Sequence, residues 1–284
     1  MTKHFIDIDD HSFEELQGII DNAIALKKSH KSGEINESLK NKTLAMIFDK
    51  SSTRTRVSFE AGMTQLGGHS LFLSDKDIQI GRGEPITDSA IVIGSMVDAV
   101  MLRVSSHEDI LTFSKHANTP VINALSDQSH PCQMLADLMT YQEHRGSIKG
   151  KKVVWIGDGN NVCQTYMQAA EIFSFELIIS TPKGYEAAQD FVDKYQNNIS
   201  YSLNPVEACK GADLVVTDVW ASMGMESEQK ARELAFKDFQ VNLQIMSVAN
   251  ENALFMHCLP AHRGEEVSAE VIDGKQSVIW DEAE

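Results

Sequence analysis

Four hydroxyl side chains and two guanidinium groups fall within the six residues Ser51-Ser52-Thr53-Arg54-Thr55-Arg56. That density of donors suits a phosphate, because hydroxyls and planar guanidinium forks match its oxygens in charge-assisted hydrogen bonds. The run follows an apolar stretch, Thr43–Phe48, and precedes a helical pattern around 57–66. The order is therefore strand, hydroxyl-rich loop, helix start, where backbone N–H groups and the helix dipole favour an anion. Capping a helix needs one hydroxyl rather than four, so the anion site is the stronger reading. The spacing Gly-x-x-x-x-Gly-Lys-Ser/Thr of a nucleotide phosphate loop is absent.

Further along, His130-Pro131-Cys132-Gln133 precedes another helical pattern, with Pro131 suited to its first turn. An imidazole N–H there could bond a carbonyl oxygen and stabilise charge developing on it. A helix-capping histidine is the plainer alternative. Arg103 ends the stretch 99–102, where ligands of open α/β sheets sit, although a lone arginine at a strand end is often a surface residue. The glycine-rich stretch 77–85 reads as a mobile loop. Gly157-Asp158-Gly159-Asn160-Asn161 could suggest a dinucleotide site. However, Val162 stands where the third glycine belongs, and no acid closes the next strand at Ile179-Ser180-Thr181. In Met256-His257-Cys258-Leu259-Pro260, Cys258 could be a small buried hydrophobe. His257, Cys258, His262, His130 and Cys132 have metal-ligand chemistry but no finger-like spacing, so no metal is expected.

The elements that must position these residues alternate. Apolar runs at Thr43–Phe48, 69–73, 99–102 and 120–123 read as buried strands, with helices around 57–66, 89–97 and His107–His116 between them. An opening helix starts with a possible capping box at Ser12 and Glu15 and stops near Gly33. After the polar stretch 145–150 a second series begins, with strands at Lys152–Ile156, 177–180, Leu214–Thr217 and 254–256. The pattern predicts two doubly wound parallel-sheet α/β domains of similar size, residues 1–145 and 146–284, joined by bridging helices that include one from about 131 to 144. There is no internal repeat or low-complexity segment.

Composition narrows the class. Acidic residues outnumber basic ones 41 to 25, a formal charge of −16, which argues against a nucleic-acid partner. A local arginine cluster can still dominate its own pocket. No apolar run approaches the ~20 residues a membrane span needs, and the N-terminus lacks a signal-peptide layout. Four scattered cysteines without Cys-x-x-Cys fit a cytoplasmic, reducing location.

The run Phe48-Asp49-Lys50-Ser51-Ser52-Thr53-Arg54-Thr55-Arg56 resembles the carbamoyl phosphate signature of the aspartate and ornithine carbamoyltransferases. The remaining motifs follow in that family's order over nearly the whole chain. The resemblance implies that Ser52, Thr53, Arg54, Thr55 and Arg103 hold carbamoyl phosphate. It adds His130, Pro131, Cys132 and Gln133, then Cys258 and Leu259, to the same ligand. It also implies a homotrimer or a multiple of one, in which Gln79 reaches a neighbouring subunit's site. Thr217-Asp218-Val219-Trp220-Ala221-Ser222-Met223-Gly224 is similar to the Asp-x-x-x-Ser-Met-Gly loop of the ornithine members. His257-Cys258-Leu259-Pro260 is likewise theirs, the aspartate members having proline in place of the cysteine.

The implied reaction is carbamoyl transfer to the δ-amine of ornithine, giving citrulline and phosphate in arginine biosynthesis. Asn161, Asp218, Ser222 and Met223 would bind ornithine. Arg54, Arg103, His130, Asp218 and Cys258 would carry the chemistry without a cofactor. The family also carries a further carbamoyl phosphate arginine on a C-terminal helix past Glu284. Transfer to another amine (aspartate, an acylated ornithine, putrescine) and a non-catalytic anion-binding module on the same fold remain the alternatives.

Overall fold

The computed structural model describes residues 2–74, 83–221 and 228–284. Helix α1 (Phe13–Lys31) begins with a reciprocal cap: Ser12 Oγ accepts the Glu15 N–H at 3.2 Å, and Glu15 Oε2 accepts the Ser12 N–H at 3.1 Å. It ends beside Gly33, whose φ of +82° few other residues adopt. Then β1 (Thr43–Phe48), α2 (Thr53–Gln65), β2 (His69–Ser74), α3 (Ile86–Met96), β3 (Ala99–Arg103), α4 (His107–His116) and β4 (Val121–Leu125) alternate, and α5 (Pro131–Arg145) follows. These strands pair in parallel in the order β2-β1-β3-β4. Along β1, Leu44, Met46 and Phe48 pack on one face with Met101, while Ala45 and Ile47 pack on the other with Val100 and Leu102. Successive side chains point to opposite faces, and burial of both faces makes the strand an unbroken apolar run.

The second series holds β5 (Lys152–Ile156), α6 (Asn161–Phe173), β6 (Glu176–Ser180), α7 (Gln189–Lys194), β7 (Ile199–Tyr201), α8 (Pro205–Cys209) and β8 (Leu214–Thr217). It continues through α9 (Gln229–Phe236), α10 (Leu243–Val248), β9 (Leu254–His257), α11 (Ala269–Ile272) and α12 (Ile279–Ala283). Its parallel sheet runs β7-β6-β5-β8-β9. The chain divides into two compact units, Met1–Leu135 and Ala136–Glu284, so the change falls within α5, ahead of the polar stretch that follows Arg145. In each sheet the strand order reverses beside the first strand, at β1/β3 and at β5/β8. Ligands of such sheets bind outside the carboxyl ends of the strands at that reversal.

Two local differences from the sequence pattern matter. Helix α2 starts at Thr53, earlier than the predicted 57, so most of the hydroxyl–arginine run is its first turn. The edge strand β7 was not anticipated; it spans three residues with Ser200 and Tyr201 exposed, too short to show alternation. Among the described residues no helix is long and apolar enough to cross a membrane.

Candidate active site

In the first unit, Phe48 and Arg103 are register partners, so the chain leaves β1 and β3 side by side. The Asp49 N–H donates to the Arg103 carbonyl at 3.2 Å, and the Asp49 carboxylate accepts the Ser105 N–H at 2.5 Å. These bonds fix the exit from β1. Ser52 is the N-cap residue of α2, but its hydroxyl makes no cap bond and no acid sits in the first turn. The N–H groups and positive dipole of that turn therefore meet no anionic side chain of the helix itself. Arg103 Nη1 donates to Thr55 Oγ1 at 2.9 Å, joining the end of β3 to this turn. Thr53 and Arg54 are exposed on it. Arg56 points elsewhere, with Nε on Glu60 Oε1 at 2.9 Å and its guanidinium 3.8 Å from the Phe72 ring centre.

His130 belongs to the same neighbourhood. Its Nδ1 accepts the Gln133 N–H at 3.4 Å, which places the ring proton of the neutral form on Nε2. Burial, with the Arg103 charge adding to it, depresses its pKa to about 3, so the ring is a neutral Nε2–H donor over the physiological range. Helix capping and N–H donation, posed as alternatives by the sequence, are thus compatible in one ring. Pro131 opens α5, and the Cys132 thiol donates to the Asn123 carbonyl at 3.3 Å. Burial pushes that thiol up to about 12.

In the second unit, Asn160 caps α6 through the N–H groups of Val162 and Cys163, both at 3.1 Å. Its Nδ2 donates to Asp218 Oδ2 at 2.8 Å. Asp218 directly follows β8 and is 8% exposed. Its Oδ1 accepts the Val219 N–H at 2.8 Å and the Cys258 thiol at 3.2 Å. Burial, followed by the Asp218 charge, raises the Cys258 pKa well above an ordinary thiol's, so Cys258 is a neutral donor and not a thiolate. The next residue, Leu259, sits at φ +57°, a conformation that costs a non-glycine residue about 1–2 kcal/mol. Its N–H donates to His257 Nδ1 at 3.0 Å, and His257 Nε2 meets Glu266 Oε1 at 3.0 Å. His257 and Glu266 are fully buried.

Sequence reasoning missed Asn160, which contacts Asp218, while Asn161 is the first residue of α6 with its Oδ1 on the Val162 N–H at 3.0 Å. It also missed Glu266 and Glu282, acids in polar stretches that read as surface. The expected Gln79, Ser222 and Met223 lie outside the described residues. Gly159, the residue that most suggested a nucleotide turn, has a different reason to be glycine. A Cβ there would lie 2.1 Å from the Ala187 backbone nitrogen. Asp158 is likewise engaged, paired with Arg232 at 3.0 Å, and burial raises its pKa to about 6.

Two groups place possible metal-ligand atoms within 4.8 Å of one another among the described residues: Asp218, His257 and Cys258, and His262, Glu265 and Glu266. In the first, the two His257 nitrogens face Leu259 and Glu266 and the thiol is protonated, so that group is arranged for hydrogen bonding. In the second, Glu266 Oε1 already receives the His262 N–H at 2.6 Å and faces His257 Nε2.

Two family descriptions match the chain in sequence order. Residues 3–143 match the carbamoyl-P binding domain of aspartate/ornithine carbamoyltransferase, and residues 149–284 match its Asp/Orn binding domain. The chain belongs to the aspartate/ornithine carbamoyltransferase family. The first match contains the β1–β4 sheet and the second the β5–β9 sheet. Its relatives include ornithine carbamoyltransferases. The ornithine carbamoyltransferase of Ruthia magnifica subsp. Calyptogena magnifica is 66% identical over 284 residues, 100% of this chain and 95% of that protein. That of Hydrogenovibrio crunogenus is 60% identical, with 99% and 93% covered. The solved ornithine carbamoyltransferase from Pyrococcus furiosus superposes with a TM-score of 0.95 at 47% identity, covering 99% of this chain and 92% of that one.

Proposed function

We propose that the protein is an ornithine carbamoyltransferase, moving the carbamoyl group of carbamoyl phosphate to the δ-amine of L-ornithine to give L-citrulline and phosphate. The observation that carries the acceptor is the Cys258 thiol on Asp218 at 3.2 Å, since cysteine at that motif position marks the ornithine members of the family. Residues 1–145 serve as the carbamoyl phosphate domain and 146–284 as the ornithine domain. The first turn of α2, with Ser52, Thr53, Arg54 and Thr55, receives the phosphate. Arg103, the His130 Nε2–H and Thr55 stabilise the oxyanion that forms when the carbonyl carbon is attacked, and Pro131, Cys132 and Gln133 shape that pocket. Arg54 and the helix dipole stabilise the departing phosphate.

A free alkyl amine has a pKa above about 10, so ornithine must lose a proton to attack. Asp218, held by Asn160 and Cys258, pairs with the ammonium and orients it, and accepts the proton as the amine is desolvated. Asn161, Ser222 and Met223 hold the amino-acid end, while Cys258 and Leu259 face the carbamoyl group. We assign the enzyme to arginine biosynthesis in the cytoplasm. It works as a homotrimer, with Gln79 acting in a neighbouring subunit. The exposed apolar side chains Val57, Leu71, Ile91, Val92 and Met96 on α2, β2 and α3 support such an assembly. The test is to supply carbamoyl phosphate with ornithine, aspartate, an N-acylated ornithine or putrescine and identify the ureido product. Citrulline is expected from ornithine alone; a product from another amine reassigns the acceptor, and none from any amine leaves an anion-binding module.

A further inference from the structure

Behind the Cys258 turn lies a polar cluster that the chemistry above does not use. The His257 N–H, one residue before Cys258, donates to Glu282 Oε2 at 2.8 Å. Glu282 on α12 is hydrogen-bonded to the Asp137 side chain on α5. Asp137 Oδ2 in turn accepts the Tyr166 hydroxyl from α6 at 2.7 Å. Exposure is 4% for Glu282, 2% for Asp137 and 1% for Tyr166, so water does not screen this group.

Two touching carboxyl groups closed off from water do not both ionise. Each already has one outside donor: His257 N–H for Glu282, Tyr166 O–H for Asp137. The bond between them then needs one proton of its own. Asp218 at the end of β8 contributes a further negative charge, and Cys258 and Tyr166 are neutral, their pKa values raised by burial and by these acids. Helix α12 spans five residues and buries only Ile279 and Glu282, so Glu282 is its polar anchor. A second negative charge in the pair would push α12 outward and pull the His257 N–H with it.

We propose that Asp137 and Glu282 share a single proton, and that Glu282 in this form is a positioning residue holding the His257–Cys258–Leu259 turn against Asp218. The consequence for turnover rests on the carbamoyl transfer proposed above; the holding of the turn does not.

The experiment compares wild type, E282Q and E282A. Glutamine keeps the shape and the neutral hydrogen-bonding capacity of a protonated acid, whereas alanine removes both. Alkylation by iodoacetamide is followed cysteine by cysteine by mass spectrometry, with Cys163 and Cys209 as internal references. E282A should alkylate Cys258 about tenfold faster, and E282Q should stay within about threefold of wild type. Citrulline turnover should follow the same split, with kcat falling about tenfold in E282A, carbamoyl phosphate KM nearly unchanged, and E282Q restoring the rate. Infrared spectra at about pH 8 should show a buried protonated carboxyl in wild type that is lost in E282Q and D137N.

A Cys258 in E282A as slow as wild type, an E282Q as fast as E282A, or no carboxyl band overturns the proposal. Should E282A not fold, D137A leaves the Glu282–His257 bond but unpairs the acid, and the same acceleration is expected. A wild type that makes no citrulline, yet shows the band and the alkylation contrast, removes the reaction and leaves the acid pair standing.

Discussion

The two units hold their candidate residues in opposite ways. In the first, Ser52, Thr53, Arg54 and Thr55 form one contiguous run at the start of α2, a helix that buries none of its residues fully, and Arg103 joins them from the end of β3. The second draws Asn160, Asp218, His257, Cys258 and Glu266 from three strand ends and the loop after β9, and closes most of them from solvent. A phosphate carries its own charge and tolerates a solvated grip made of helix N–H groups and arginine. An amine that must lose a proton needs a drier place, with a carboxylate held still by donors on both oxygens. A run suited to charge recognition can thus be local in sequence, whereas a buried carboxylate with donors on both oxygens has to be assembled by the fold.

The largest expected effect breaks the exposed half. Arg54→Gly should lower kcat/KM by about 10²–10³ or more, because a charge-assisted contact to the departing phosphate is lost. Near-normal turnover in steady-state assays would sink the assignment of that turn. Next, Asp218→Asn keeps the volume but weakens the partner of Asn160 and Cys258. Ornithine kcat/KM should drop about 100-fold while carbamoyl phosphate KM shifts less than about threefold. An equal loss on both substrates would show that the halves are not chemically separate.

Cys258→Ala sharpens the same point. A neutral thiol donor is worth about tenfold in rate, and the pH profile should keep its shape; a lost alkaline limb would mean that the cysteine titrates in the reaction. Arg56→Ala, despite its place in the run, should change carbamoyl phosphate KM less than about threefold, since the side chain is engaged with Glu60 and Phe72. If it matches Arg54→Gly, the two arginines form one grip after all.

The smallest effect on activity is expected at His107, whose ring faces Asp7 and Ser126 and which is telling for stability. Its pKa is raised mainly by a hydrogen bond to Asp7, against burial, with Asp127 and Asp10 adding negative charge and Ser126 on Nδ1 at 2.9 Å. The folded protein therefore holds this proton more tightly than the unfolded chain does. The gain is complete below the unfolded value near 6.5 and is lost as pH rises through the folded one. Thermal melts should show the wild type losing part of its margin over His107→Gln across that window; parallel curves would remove the linkage.

The contrast also explains what could be read in advance. Strands β1, β5 and β8 were legible to the residue, because burial on both faces makes each an unbroken apolar run. The run Ser51–Arg56 could be singled out because its residues are adjacent. The start of α2 was not, since Thr53–Arg56 carries no apolar periodicity. Glu266 and Glu282 could not be found either. Glu282 meets Asp137 and His257 from elsewhere in the chain, Glu266 is buried by the turn of the loop back onto His257, and Gly-Glu-Glu or Asp-Glu-Ala-Glu looks like surface on its own. Asp218 and Cys258 stood out by motif, but their bond to each other exists only because β8 and β9 are neighbours in the sheet.

Gly159 bears on how variants of this protein should be interpreted. With the Glu186–Ala187 backbone pressed against it, a methyl group fits only if that backbone shifts, and a missense change there is expected to act first on folding. It lies one residue from Asn160, so an activity screen would score such a change as a catalytic defect. Soluble yield, measured beside turnover, separates the two, and inherited or engineered changes at this position belong with the first.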